Sequence, residues 1–573
     1  MMSNQGSPFI SLVHLQRLKQ LYSAFGQTPS YVDMNQLTGI FFCSDRNASK
    51  LMNILKNKGF IEWVPGRGRG NKSALSLPMS FEEILLKQLE YQVCSGKINE
   101  AFVYAEHFEK RTLLQKKLPL WLNETKVELS KANTLLYIVS YSFPECRPMY
   151  ARSSSSILLL EAVFDTLVRY DEDTGKIRPH LAHHYYFKDN QYHFRLRPDI
   201  YFHNGERLRP QHIKSCFDYR CITEHPYLIL YRHVEKIEIK DDWVIFHLKQ
   251  KDPTFLHLLT DIHSAVFYMD PTQTKVSEDK FNQAIGTGAY SLFHQEKDHW
   301  ILSKFDRYFG IGGLIERAEF WSTQHQEAIQ SGHVYEKCPV QPEDHENAHS
   351  VEQHACVTLE FANHKNPLSI DERAWLIHKI RQFAVAHNTP INSLANSIMP
   401  YHQKRAFHLF HHTMKKPERT ISVQYRKGDE WELKPLFDYL DLYGISVSHH
   451  VVERSNYPWN GSDGVDLYYS CYVFGNNLSF QYYEWLLTGN IFQTCLNVKE
   501  RRSLLLFVDT IMQESSDNTD FMEKLYRGED WLIQNCHYIP LWRDHAFYNI
   551  SDKLHGKKMD NMGVMSLAQL WLE

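Results

Sequence analysis

Cysteine pairs are missing from this sequence. Its ten cysteines are scattered, none forms a CxxC, and the nearest two, Cys216 and Cys221, have a spacing that fits no common zinc pattern. That excludes a zinc-ribbon domain and a disulfide scaffold, and it predicts free thiols in a reducing compartment. Long apolar runs are also missing: Leu504-Leu505-Leu506-Phe507-Val508 is of core length, far short of the roughly 18 residues that span a bilayer. The opening Met1-Met2-Ser3-Asn4-Gln5-Gly6-Ser7-Pro8 has neither Lys nor Arg and no apolar stretch, so no secretory signal and no membrane association are expected, and the predicted location is the cytoplasm. A global positive charge is lacking too. The net charge of −4 means that any nucleic-acid contact must come from a local basic patch.

The motifs of common enzymes are absent as well. There is no nucleophile elbow, HExxH, or P-loop, and Asp171-Glu172-Asp173 reads as a solvated turn before Thr174-Gly175 rather than an acid/base pair, so catalysis is not expected. The 32 histidines include the doublets His183-His184, His411-His412 and His449-His450. Adjacent side chains on a strand or helix point apart, so these doublets predict neither a metal site nor any other cofactor.

What is present is modular. At 573 residues the chain is too long for one core and predicts three or four structural units. Phe9, Leu12, Leu15, Leu18, Tyr22 and Phe25 recur at threes and fours, an amphipathic helix that ends near Gly26. A second short helix is predicted over about Asp33 to Phe41. After a tight turn Ser44 is placed to cap a third, which runs to about Lys58 before Gly59. On a helical wheel the third helix sets Ala48, Leu51, Met52 and Leu55 on one side, and Arg46, Lys50, Asn53 and Asn57 on the other.

Such a stripe suits a recognition helix: Arg pairs with guanine, Asn with adenine, and Lys neutralises phosphate. It would equally suit any solvated helix face. The next segment decides between them. Phe60–Val64 and Ser73–Leu77 read as strands around the flexible loop Pro65-Gly66-Arg67-Gly68-Arg69-Gly70-Asn71-Lys72, a hairpin with a basic tip directly after a helix-turn-helix. A nucleotide-binding glycine loop would instead open a helix, and no helix start follows Gly70. Between Ser44 and Lys72, seven basic residues face only Asp45 and Glu62. The predicted DNA-contacting residues are Ser44, Arg46, Asn47, Lys50, Asn53, Asn57, Arg67, Arg69 and Lys72, and the predicted partner is double-stranded DNA.

From Ser80 to about Thr125 there is one Gly and one Pro. Helical spacing of Phe81, Ile84, Leu85, Leu89, Ala101, Tyr104, Ala105 and Phe108 predicts a helical connector, or equally a dimer seam. From Asn133 strand and helix patterns alternate, as in α/β units.

Two resemblances follow from motifs. Glu161-Ala162-Val163-Phe164-Asp165-Thr166-Leu167-Val168-Arg169-Tyr170, Arg178-Pro179-His180-Leu181-Ala182, the run Tyr192 to Glu206, Gly286-Thr287-Gly288-Ala289-Tyr290 and Tyr538-Ile539-Pro540-Leu541-Trp542 occur in an order that resembles the family 5 solute-binding proteins of ABC importers. That resemblance implies two α/β lobes around a cleft that closes on ligand, with Gly286-Thr287-Gly288 a structural turn. Phe42-Cys43-Ser44-Asp45-Arg46-Asn47, Gly59-Phe60-Ile61-Glu62-Trp63 and Gly68-Arg69-Gly70 resemble the DNA-binding domain of SgrR-type regulators, which place a winged helix ahead of such a solute-binding domain. It implies a transcriptional regulator of a family linked to sugar-phosphate stress, sensing a small-molecule effector.

The predicted architecture is therefore multidomain: an α+β winged helix-turn-helix over 1–78, a helical connector over 79–130, and a two-lobed α/β periplasmic-binding-protein-like domain of type II over 131–573. Its first lobe is expected over about 131–317 and 536–573, its second over about 318–535. Tyr141, Arg152, Trp459, Cys471 and Tyr472 are the expected cleft residues, with aromatic faces for a sugar or apolar group and Arg152 for an anion. In peptide-binding members an acidic residue follows the strand resembling Asp466–Ser470 and holds the peptide's amino terminus. No Asp or Glu lies between Cys471 and Phe480, which argues against a peptide. The other function open at this stage is a receptor that feeds an importer.

Overall fold

The computed structural model describes residues 10–66, 71–95, 97–111, 113–114, 117, 121, 133–139, 146–152, 154–270, 284–296, 299–322, 332–337, 349–388, 393–400, 413–452 and 464–573. They divide into two compact units, residues 1–131 and, apart from a short excursion, 132–573. Among the described residues no helix is long and apolar enough to cross a membrane.

The first unit begins with α1 (Leu12–Phe25), capped by Ser11 and ended by Gly26 at φ 62°. Strand β1 (Ser30–Val32) follows. Helix α2 (Met34–Phe41) opens on a reciprocal cap: the Asp33 carboxylate accepts from the Gln36 amide at 2.8 Å, and the Gln36 side chain accepts from the Asp33 amide at 3.0 Å. Phe42 turns the chain in the left-handed region at φ 51°, and α3 (Asp45–Asn57) starts three residues later. Strands β2 (Glu62–Val64) and β3 (Ser73–Ser76) form an antiparallel hairpin in which Trp63 pairs with Leu75. On its other edge β3 pairs with β1, Ser30 opposite Leu75, which makes a three-stranded sheet. Leu15, Leu18, Leu37, Phe41, Ala48, Met52, Leu55 and Trp63 fill the core.

Helices α4 (Phe81–Cys94) and α5 (Ile98–His107) fold back onto α1. Ser80 and Glu83 cap α4 reciprocally. The Gln88 side chain accepts from the Ile10 amide at 2.9 Å, and Tyr104 donates to the Ile10 carbonyl at 3.3 Å. Phe81 lies between Tyr22 and Phe108.

The second unit is built on three main sheets. In chain order its elements are β4 (Thr134–Val139), α6 (Ser154–Val163), the hairpin β5 (Val168–Asp171) and β6 (Lys176–Pro179), β7 (Ala182–Lys188), β8 (Gln191–Leu196), α7 (Pro210–Ile222), β9 (Val234–Lys240), β10 (Trp243–Leu248) and the short α8 (Phe255–Leu258). Next come β11 (Tyr290–Glu296), β12 (His299–Lys304), β13 (Arg317–Ser322), β14 (Val334–Lys337), β15 (His349–Glu352), β16 (Ala355–Phe361), α9 (Ile370–Ala386), β17 (Ile421–Arg426), α10 (Glu430–Leu442), β18 (Val447–Val452) and β19 (Leu467–Val473). Helices α11 (Leu478–Thr488), α12 (Val498–Glu514) and α13 (Asn518–Gln534), then β20 (Tyr538–Trp542) and β21 (His545–Ile550), lead toward the end of the chain.

The first lobe holds a seven-stranded sheet in the order β11-β12-β13-β4-β14-β21-β15, and the second a five-stranded sheet in the order β18-β17-β19-β16-β20. A four-stranded antiparallel sheet, β7-β8-β10-β9, completes the set. Its core is shared with α11, α12 and α13: Phe194, Phe246 and Phe255 lie in one apolar cluster with Phe480, Tyr483 and Phe521.

This topology corrects the lobe boundaries read from the sequence. The first lobe's sheet takes in β13, β14 and β15, so the crossing falls at about residue 353, well beyond 318. The return follows Trp542 rather than Cys536, because β20 pairs with β16 in the second sheet, Trp542 opposite Val357. The cause is non-local: β4 is flanked by two parallel partners, Arg317 opposite Thr134 and Val334 opposite Tyr137, and neither pairing leaves a local trace in the sequence.

The Gly286-Thr287-Gly288 turn is structural. Thr287 donates to the buried Asp165 carboxylate at 3.0 Å, and the Gly288 amide donates to the Val163 carbonyl at 2.9 Å. A Cβ at Gly288 would lie 2.4 Å from the Ala162 carbonyl oxygen. Gly288→Ala is therefore expected to destabilise the second unit by about 1–3 kcal/mol, the usual result of overfilling a tight site. A thermal unfolding midpoint no lower than the parent's would contradict this.

Candidate DNA-binding surface and ligand cleft

Helix α3 separates its two faces as the wheel requires. Ala48, Met52 and Leu55 are fully buried, while Arg46, Asn47, Lys50, Asn53 and Asn57 are all exposed. Spacings of three and four keep Arg46, Lys50, Asn53 and Asn57 along one side of the helix. Ser44 does stand at the N-cap, but its hydroxyl makes no bond to the helix, so the expected cap is one of backbone position only. Lys72 is exposed where the hairpin returns toward β3, whereas Arg67 and Arg69 lie outside the described residues.

Gly66 is what lets the hairpin strands close. A Cβ there would stand 2.4 Å from the Asn71 carbonyl oxygen, and the Gly66 amide donates to the Ser73 hydroxyl at 3.1 Å. Sequence reasoning missed exposed apolar side chains on the strands and the turn of this unit: Phe42, at 86% exposure, Tyr31 and Val64. The left-handed turn that starts α3 leaves Phe42 facing solvent, and periodicity carries no sign of that conformation.

In the second unit Tyr141 and Trp459 lie outside the described residues. Arg152, from the first lobe, and Tyr472, from the second, come together. Burial pushes the Arg152 guanidinium down to about 10, with the hydroxyls of Tyr227 and Tyr472 acting in the opposite sense. Tyr472 donates to the buried Glu360 carboxylate at 2.7 Å and accepts from the Asn490 amide at 3.1 Å. Glu360 also accepts from the Asn490 side chain at 2.6 Å and from Thr358 at 3.1 Å, so its lone pairs are well used. Cys471 is not part of this group. Alternation along β19 sends it to the opposite face, against the second lobe's core, where its thiol donates to Asp544 at 3.3 Å. Burial, then the Asp544 charge, pushes that thiol well above its ordinary range.

Sequence reasoning missed the residues beside Arg152. Tyr227 donates to the Ala151 carbonyl at 2.6 Å, and its ring stacks on His263 with centroids 3.5 Å apart. His263 also reaches the Ala151 carbonyl through Nε2 at 2.8 Å, while its Nδ1 faces Asp261 and, at 3.6 Å, Glu484. Asp261 opens the 3-10 turn Ile262–Ser264 and accepts from the His263 amide at 2.9 Å. Glu484 lies on α11, over two hundred positions away in the chain, so no spacing could have linked it to the other two.

Fold and site define a class: a winged helix-turn-helix on the same chain as a two-lobed solute-binding fold. Residues 14–125 match the family described as sugar transport-related sRNA regulator N-term, and residues 176–425 match bacterial extracellular solute-binding proteins, family 5 middle. The chain shares the content and order of its domains with the SgrR-type regulators. It is 22% identical over 571 residues to the HTH-type transcriptional regulator SgrR of Yersinia enterocolitica, covering 97% of this chain and 98% of that one. Among solved structures, it is similar to a Pseudoalteromonas dipeptide-binding protein in complex with Met-Leu, with a TM-score of 0.65 at 15% identity over 77% of this chain and 100% of that one. It is also similar to the Bacillus subtilis oligopeptide-binding protein AppA in complex with a nonapeptide, with a TM-score of 0.63 at 15% identity over 77% of this chain and 99% of that one.

Proposed function

We propose that the protein is a cytoplasmic transcriptional regulator that binds duplex DNA through residues 1–78 and a small-molecule effector in the cleft of its two-lobed domain. The carrying observation is the exposed Arg46–Lys50–Asn53–Asn57 stripe on α3, next to a basic hairpin. Ser44, Asn47, Arg67, Arg69 and Lys72 complete the DNA surface. The work of the second unit is binding rather than turnover. Selection of duplexes from a random library, followed by a salt titration of the winners, tests the reading. Recovery of no preferred sequence, or binding that ignores salt, would overturn it.

The effector we propose is anionic, of the sugar-phosphate class. Arg152 is enclosed beside two tyrosines, and the strand end at Cys471–Phe480 lacks the carboxylate that a peptide's amino terminus would need. Ligand contacts to Arg152 from one lobe and Tyr472 from the other exist together only when the lobes are closed, so binding favours closure. By linkage, operator DNA must change effector affinity by the same factor that the effector changes DNA affinity. Sugar phosphates are expected to raise the unfolding midpoint, further with each increase in concentration and logarithmically once the site is filled, and the parent sugars are not. Arg152→Ala should weaken that binding by roughly 10- to 100-fold, the value of a charge-assisted hydrogen bond. A neutral sugar as effective as its phosphate would refute the anionic assignment.

A further inference from the structure

We propose that Asp261, His263 and Glu484 form a binding site for a first-row divalent cation such as Zn²⁺, placed where segments of the two lobes meet. One ligand atom from each lies within 4.8 Å of the other two. The three side chains are 11%, 6% and 13% exposed, so the cluster is nearly dry yet reachable.

The histidine gives the independent sign. Its Nε2 stands 2.8 Å from the Ala151 carbonyl, which can only accept, so Nε2 carries the proton. Nδ1 is buried and has no hydrogen-bond partner of acceptable geometry, although the Asp261 carboxylate lies directly against it. Nδ1 and the two carboxylates converge on one nearly dry space that calls for a positive charge: a proton on the ring, which the two carboxylates favour, or a metal ion in its place.

The surroundings are those of a metal-bound imidazole. Such a ring usually donates its second N–H to a backbone carbonyl or a carboxylate, which fixes its tautomer and orientation. Here Ala151 accepts that bond, Tyr227 stacks on the ring, and the Tyr227 hydroxyl holds the same carbonyl at 2.6 Å. Asp261 is fixed by accepting from the His263 amide. One imidazole nitrogen with two carboxylate oxygens suits Zn²⁺, Mn²⁺, Co²⁺ or Ni²⁺ better than Mg²⁺ or Ca²⁺, which favour all-oxygen sets. Three protein ligands leave further positions for water or an anion. Among the described residues, the doublets His183-His184 and His449-His450 take no part.

Position gives the site a consequence. Asp261 and His263 belong to the chain of the first lobe, before the crossing at about residue 353, and Glu484 to the helix after β19 of the second. A bound ion would therefore tie the two together and favour the closed arrangement.

The test uses the full-length protein, stripped with a chelator, desalted and dialysed against ZnCl₂, with bound metal counted by mass spectrometry. Excess Zn²⁺ should load about one tightly held ion per chain and raise the unfolding midpoint. Glu484→Gln and Asp261→Asn keep the shape and remove a charge, and each should abolish that ion and the stabilisation. Loss in both folded variants supports the site. Equal metal content in parent and variants would assign the ion to surface histidines and overturn it, as would a metal-free parent. Should either variant fail to fold, Mn²⁺ loaded into the parent decides: electron spin-echo spectra should show one coupled imidazole nitrogen, and none would overturn the proposal. Because no DNA or sugar enters these measurements, their failure would leave the regulator reading standing.

Discussion

Replacing Arg46 and Lys50 together with alanine is expected to cost operator binding about 2–4 kcal/mol, roughly 30- to 1,000-fold in affinity, with no loss of fold. Both side chains are exposed on the face of α3 opposite Ala48, Met52 and Leu55, so neither contributes to the core. The two losses should differ in kind. An arginine that pairs with a guanine edge carries about 1–3 kcal/mol of discrimination, so Arg46→Ala should flatten the preference at one base position. A lysine on a phosphate carries no sequence information, so Lys50→Ala should weaken all duplexes alike and lower the slope of log K against log salt by about one. Fluorescence anisotropy on matched and mismatched duplexes at several salt concentrations separates the two. Unchanged affinity in the double variant would remove α3 from the interface.

The largest stability effect is expected at Glu529 on α13. Its fully buried carboxylate accepts from the Ser397 hydroxyl at 2.9 Å, the Ile398 amide at 2.8 Å and the Tyr482 hydroxyl at 2.9 Å, and from the Tyr538 hydroxyl. Four donors from three separate stretches of chain meet on one side chain: the 397–398 turn gives two, α11 and β20 one each. Glu529→Ala would leave them stranded in a dry core, where each unmade bond costs about 1–3 kcal/mol and a broken buried charged network about 3–5 kcal/mol. We expect a loss of about 3–5 kcal/mol from the second unit. Glu529→Gln, which keeps one acceptor oxygen, should recover part of it. Chemical denaturation followed by tryptophan fluorescence measures both. A change below about 0.5 kcal/mol, typical of surface positions, would mean that the donors find other partners.

The first unit was largely legible because its information is local. Spacings of three and four fixed α1 and α3, and Gly26 and Gly59 marked their ends at positive φ. Strand β1 was missed: three residues are too few to alternate, and its partner Leu75 lies far along the chain from Ser30. In the second unit, motif order gave the fold but not its crossings, since β13 and β14 are set in place by pairing with β4. Arg152 and Tyr472 were readable as a cation and an aromatic near expected cleft strands. Tyr227, His263 and Glu484 were not, because the fold alone gathers them. Cys471 shows the opposite error, since adjacency along a strand places neighbours on different faces.

One feature of the first lobe bears on how the protein is made. Its sheet needs β21, residues 545–550, between β14 and β15, although β4 of the same sheet has left the ribosome some four hundred residues earlier. The winged helix, whose three strands and the core residues named above all lie between Leu15 and Ser76, has them long before then. During translation the nascent chain thus carries a finished DNA-gripping module well ahead of a finished sensor. Chains cut short before residue 545 would hold the first without the second, and would occupy operators with no means of answering the effector.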